Sequence, residues 1–160
     1  MTSETMIQTQ SQSSVAHALE AIGCKIEENI GGAGILFVYG GAYYSVSTPD
    51  DLSYVCIHFP RFGDLSDFPS HQSADSAIHG QNARIKLARV WVDGDQLHAS
   101  AETLLDPSMH LAGVFERLLK LIQLIVFEIR VSQRKASPQE GKSMADKLPA
   151  ETSPQSIALH

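Results

Sequence analysis

The chain has 160 residues, 43% of them hydrophobic and 19% charged, an ordinary globular mixture that fits one domain with a real core. Its formal net charge is −6 and Lys and Arg nowhere form a block. That excludes nucleic acid or an anionic membrane as the main partner, because both need a clustered basic footprint.

Two cysteines, Cys24 and Cys56, are not a disulfide framework and lack metal-ligand spacing. The opening segment MTSETMIQTQSQSS has no positively charged start followed by an apolar stretch, so it does not read as a signal peptide. The most apolar run, Leu118 to Phe127, is interrupted by Lys120 and Gln123. It is too short for a bilayer, which needs ~20 residues. The expected compartment is the cytoplasm.

Residues 1–13, rich in Ser, Thr and Gln, read as a leader without a fold. A first helix is expected over 14–22, capped by Ser13 or Ser14. Val15, Leu19 and Ile22 make its apolar stripe, and Gly23 stops it. Lys25 to Ile30 is a short strand, and Gly31-Gly32-Ala33-Gly34 turns the chain. ILFVY (35–39) and AYYSVS (42–47) around Gly40-Gly41 form a hairpin.

After a turn at Pro49-Asp50-Asp51, LSYVCIHF (52–59) is a strand that Pro60 ends. Tyr54, Cys56 and His58 face one way, and Val55, Ile57 and Phe59 the other. Residues 60–72 form a loop whose apolar members, Phe62, Leu65 and Phe68, together with Phe59, read as held onto the core or as a binding lip. A short helix over 74–83 follows. IKLARVWV (85–92) and QLHASAETLL (96–105) then make a second hairpin around Asp93-Gly94-Asp95.

The last helix, about 108–134, starts at Asp106-Pro107-Ser108. Residues 135–160, with three prolines, read as a tail. The order α-β-β-β-β-α-β-β-α with tight connections implies one α+β domain over 14–134, an antiparallel sheet with flanking helices.

No catalytic set emerges. The seven histidines show no HExxH or i, i+4 pair. His58 and His98 both fall on strands and could meet across the sheet, as a two-His site or as plain sheet-face packing. Cys56, two residues before His58, stands ~7 Å along the strand, too far for a Cys/His nucleophile pair, and reads as a core cysteine. The glycine cluster lacks GxxxxGK[ST] and leads into a strand, and Asp93-Gly94-Asp95 is too short for a Ca²⁺ loop. Asp64 and Asp67 read as exposed loop carboxylates. No cofactor and no metal are expected.

The last helix is more informative. Glu116, Arg117, Lys120, Gln123, Glu128 and Arg130 define a polar arc, opposed by the stripe Leu111, Phe115, Leu118, Leu119, Ile122, Ile125, Val126 and Ile129. At about 100° per residue, Leu124, Phe127 and Val131 fall inside the polar arc. They read as a partner-binding surface, as a patch covered by the first helix or a tail, or as simple tolerated exposure. A second possibility for binding is a small-ligand pocket between the sheet and the last helix, lined by Tyr43, Tyr44, Trp91 and Phe115.

Four segments, ALEAIGCKIEE, GILFVYGGAYYSV, LSYVCIHFP and NARIKLARVWVDGDQLHASAETLLD, together with the long helix that follows, carry a resemblance. The chain resembles the YbjN-like family, also described as bacterial sensory transduction regulators, over about three-quarters of its length. It departs in the Pro-containing loop 60–72 and the long tail after Arg134. The resemblance implies a type III secretion chaperone-like fold. Relatives by that fold bind extended client segments along sheet and helix surfaces, commonly as homodimers, which implies a non-catalytic chaperone-like or adaptor role.

Overall fold

The computed structural model describes residues 13–29, 34–47, 52–106 and 108–136. Most of the expected leader and tail, the turn at Pro49 to Asp51, and most of the first glycine cluster lie outside the described residues.

Helix α1 covers residues 13–21 and buries Val15 and Leu19. It ends through Gly23, whose φ of 84° lies in the left-handed region, with the Cys24 N–H donating to the Leu19 carbonyl at 3.1 Å. Strands β1 (Lys25–Asn29), β2 (Ile35–Tyr39) and β3 (Ala42–Ser47) then form a meander. The β2–β3 turn uses Gly40 and Gly41 at φ 57° and 80°, the double positive φ that a two-residue hairpin demands.

Strand β4 runs Tyr54–Asp64, five residues past the expected stop at Phe59. Proline has no N–H to give a ladder, so it survives inside a strand only at a bulge or an edge. Here the register jumps between Phe59 and Gly63, Arg61 takes φ 51°, and the strand resumes pairing at Gly63↔Leu97. The bulge turns Phe62 into the core.

A 3-10 turn, Leu65–Asp67, follows under a reciprocal cap: Asp64 accepts from the Ser66 N–H and Asp67 from the Asp64 N–H. The expected loop 60–72 is therefore mostly ordered element, and its aspartates are capping groups. Helix α2 (His71–Arg84) starts at a Ser70/Ser73 capping box. β5 (Ala88–Asp93) and β6 (Gln96–Leu104) form the second hairpin, and α3 runs Leu111–Ala136, through two residues assigned to the tail.

The six strands pair antiparallel in the order β1-β2-β3-β4-β6-β5. Alternation sorts the side chains. One face carries Ile35, Phe37, Tyr44, Val46, Val55, Ile57, Val90, Leu97, Ala99 and Ala101, all buried in one cluster with α3. The stripe of α3 (Phe115, Leu118, Leu119, Ile122, Ile125, Ile129) lies fully buried against it. Each such side chain contributes roughly 1.5–3 kcal/mol, so this stripe dominates the stability of the sheet–helix sandwich. The small residues Ala99 and Ala101 in the interior strand β6, between β4 and β5, let the helix approach. The fold is α+β, an antiparallel sheet with helices, as its sequence order implies. No described helix is long and apolar enough to cross a membrane.

Candidate functional site

The sheet face turned away from α3 holds polar side chains together with Tyr54 and Trp91. Alternation puts Tyr54, Cys56 and His58 of β4 there, with Trp91 of β5 and His98 and Ser100 of β6. Register brings them together: Trp91 stands opposite His98, and His58 opposite Ser100. His98 Nδ1 and His58 Nε2 are 3.4 Å apart, so one ring donates and the other accepts while the pair is neutral or singly protonated. Trp91 stacks on both rings, with centroids 5.1 Å from His58 and 5.5 Å from His98.

Burial, followed by the facing His98, holds the His58 pKa below its ordinary value. A second proton on the pair would turn both nitrogens into donors and lose the bond. Burial, then the nearby Glu102 carboxylate, raises the Cys56 thiol, which stays protonated and is a poor nucleophile at neutral pH. Cys56 belongs to this face and not to the helix-side core, whereas Cys24 is in the core and is pushed up to about 11 by burial. Among the described residues no group of three or more His, Cys, Asp or Glu side chains is placed to hold a metal ion.

At one end of this face Tyr54 pairs with Leu104 across β4 and β6. With Leu87, Glu102 and Thr103 they line an open groove of about 500 Å³. Leu104 is 77% exposed and Leu87 47%. Glu102 is ion-paired with Arg89. The strand pattern predicts Leu104 on this face, but Leu87 reaches it from the turn before β5, which no periodicity marks.

The pocket expected between sheet and last helix does not form from its four residues. Tyr43 and Tyr44 are consecutive in β3 and must point to opposite faces. Tyr44 and Phe115 are buried in the core, while Tyr43 is exposed and Trp91 lies on the far face. The Phe loop is packed down: Phe62 and Phe68 are buried, and Phe59 stacks on Phe62 and meets Tyr44 at a tilt.

On α3, Phe127 is 62% exposed and Leu124 43%, with Val131 half-buried beside them. They stand on the side opposite the buried stripe, in line with Lys120. Lys120 donates to Glu116 at 2.6 Å. Arg130 bends back to the Phe62 carbonyl at 3.3 Å, and Glu128 pairs with Arg84 of α2. The helix thus presents an apolar strip whose flanking charges are partly drawn away from it.

No protein-family model matches the chain, and no curated protein does. Among solved structures, it is similar to the crystal structure of YbjN from E. coli, named there as a proposed transcription regulator. The two share 9% sequence identity at a TM-score of 0.55, over 77% of this chain and 91% of that one. The fold is YbjN-like. At this identity the likeness carries architecture and leaves function to the surfaces.

Proposed function

We propose that this protein is a non-catalytic, protein-binding regulator or adaptor of chaperone-like character, acting through the outward face of α3 and the open sheet face. The observation that carries the reading is Phe127, a large apolar side chain 62% exposed on the polar side of a helix, with Leu124 next to it. A surface helix ordinarily keeps that side polar, and covering a Phe and a Leu contributes roughly 1.5–3 kcal/mol each. Leu124, Phe127 and Val131 are the proposed partner-binding residues, and a homodimer is part of the proposal. The sheet face, with its stacked Trp91, His58 and His98, supplies a second contact surface for an extended client. The setting is cytoplasmic, in keeping with two free cysteines.

The test is Phe127→Glu. Phe127→Glu should melt like the parent where both are single chains, yet lose self-association or client capture. A variant that unfolds would make Phe127 a core residue and remove the support.

The groove at Tyr54, Leu87, Glu102 and Leu104 favours a second reading, a small-ligand sensor. Its volume falls in the range of ~300–1,000 Å³ typical of ligand sites. Melting across a metabolite panel separates the two, since a ligand at a hundred times its Kd stabilises by about 2.7 kcal/mol.

A further inference from the structure

We propose that α3 pairs antiparallel with α3 of a second copy of this chain, about a two-fold axis that meets the outward side of the helix at the level of Ile125, whose own side chain points into the core. The proposal rests on the reading of the α3 face as a contact surface and adds its geometry.

The outward side of α3 is organised about its middle. Glu116 and Arg134 are both exposed and are separated by five turns of about 3.6 residues, so they lie on one line along the helix. The position midway between them is Ile125. The exposed pair Leu124 and Phe127 is centred within half a residue of the same point. An axis there sets Leu124 against the partner subunit's Leu124 and Phe127 beside the partner subunit's Phe127. At each end it sets Glu116 against the partner subunit's Arg134, with Lys135 in the same basic last turn. Lys120 falls within one residue of the partner subunit's Val131, where its methylene stem covers the valine while its ammonium keeps its bond to Glu116.

A parallel pairing would instead stack Glu116 on Glu116 and Arg134 on Arg134, and align the two helix dipoles. Charge therefore selects the antiparallel arrangement, and a second copy carries complementary charges at this spacing. The contact strip is about 27 Å long at 1.5 Å per residue, which suits a weak, concentration-dependent dimer.

Light scattering on the full chain over a hundredfold concentration range, for wild type, Glu116→Arg, Arg134→Glu and the double variant, tests the register. Each single reversal replaces two attractions by two repulsions and is expected to weaken the dimer about tenfold, from the usual size of exposed ion pairs. The double reversal rebuilds both pairs with opposite polarity and is expected to return to within about threefold of wild type. Circular dichroism checks that all four fold, and Glu116→Gln gives the same direction with a smaller loss. A wild-type dimer indifferent to the single reversals, or not rescued by the double one, overturns the register. Loss of that dimer in Phe127→Glu would still leave the α3 face as the contact. A wild-type chain that stays monomeric overturns both.

Discussion

The Asn82 carboxamide binds both backbone groups of Val90, its Nδ2 donating to the carbonyl and its Oδ1 accepting from the N–H, each at 2.8 Å. Val90 lies in β5, the last strand of the sheet, so the side chain stands where a further strand would pair. An uncovered edge is a template for pairing with other chains. Helix α2 thus places one side chain to close that edge at its middle.

Asn82→Asp keeps the shape but replaces the donor with a carboxylate facing the Val90 carbonyl. The expected cost is about 1–3 kcal/mol, the penalty for a buried group left unsatisfied. Asn82→Ala should lose similar stability and also aggregate faster on mild heating. Urea unfolding and turbidity measure the two effects, and unchanged values for both variants would remove Asn82 from this role.

The two phenylalanines of α3 should respond in opposite ways. Phe115 is fully buried, and Phe115→Ala is expected to cost about 3–5 kcal/mol. Phe127→Glu, on the exposed side, should shift stability by no more than about 0.5 kcal/mol. Chemical denaturation of both variants, at a concentration where the parent is a single chain, checks the contrast.

The His58–His98 pair makes stability depend on pH. His58 is a base held below its ordinary 6.5 in the folded chain, so the unfolded chain binds the proton more readily. Its contribution is complete above about 6.5 and is lost as pH falls through that value toward the folded pKa. His58→Gln should flatten the fall in stability between about pH 7 and pH 5. A slope equal to that of the parent would show that other groups set it.

Gly34 and Gly80 form a contrasting pair. A Cβ on Gly34 would sit 2.1 Å from the Val46 carbonyl oxygen, at φ 122°. Gly34→Ala should cost at least about 1–3 kcal/mol, because β2 and β3 would have to separate. Gly80 lies inside α2 with open space around it, so Gly80→Ala should stabilise by about 0.5–1 kcal/mol. Thermal melts of the two variants should move in opposite directions.

Local chemistry made much of this fold legible in the sequence. Gly40-Gly41 and Gly94 each supply the positive φ their hairpins need, Gly23 stops α1, and partial alternation from Tyr54 to Phe59 sorts that strand onto two faces. Non-local facts were not legible. Pro60 reads as a strand end because a bulge is visible only once β6 offers pairing beyond it. The placing of β6 between β4 and β5 likewise depends on partners distant in the chain. His58 and His98 are forty residues apart, so strand assignment allows their meeting without requiring it. The pocket assigned to Tyr43, Tyr44, Trp91 and Phe115 failed because it set alternation aside for two adjacent tyrosines. On α3, helical periodicity alone separated Leu124 and Phe127 from the buried stripe.

Absolute mass by light scattering over a hundredfold concentration range, for the parent and Phe127→Glu, decides whether the outward side of α3 is a self-association surface. The parent should rise from the 17.4 kDa of one chain toward twice that value. Phe127→Glu should stay at one chain, and should melt like the parent at concentrations where the parent is also one chain. A parent that remains at one chain throughout, or a Phe127→Glu variant that dimerises as the parent does, would contradict that role for α3.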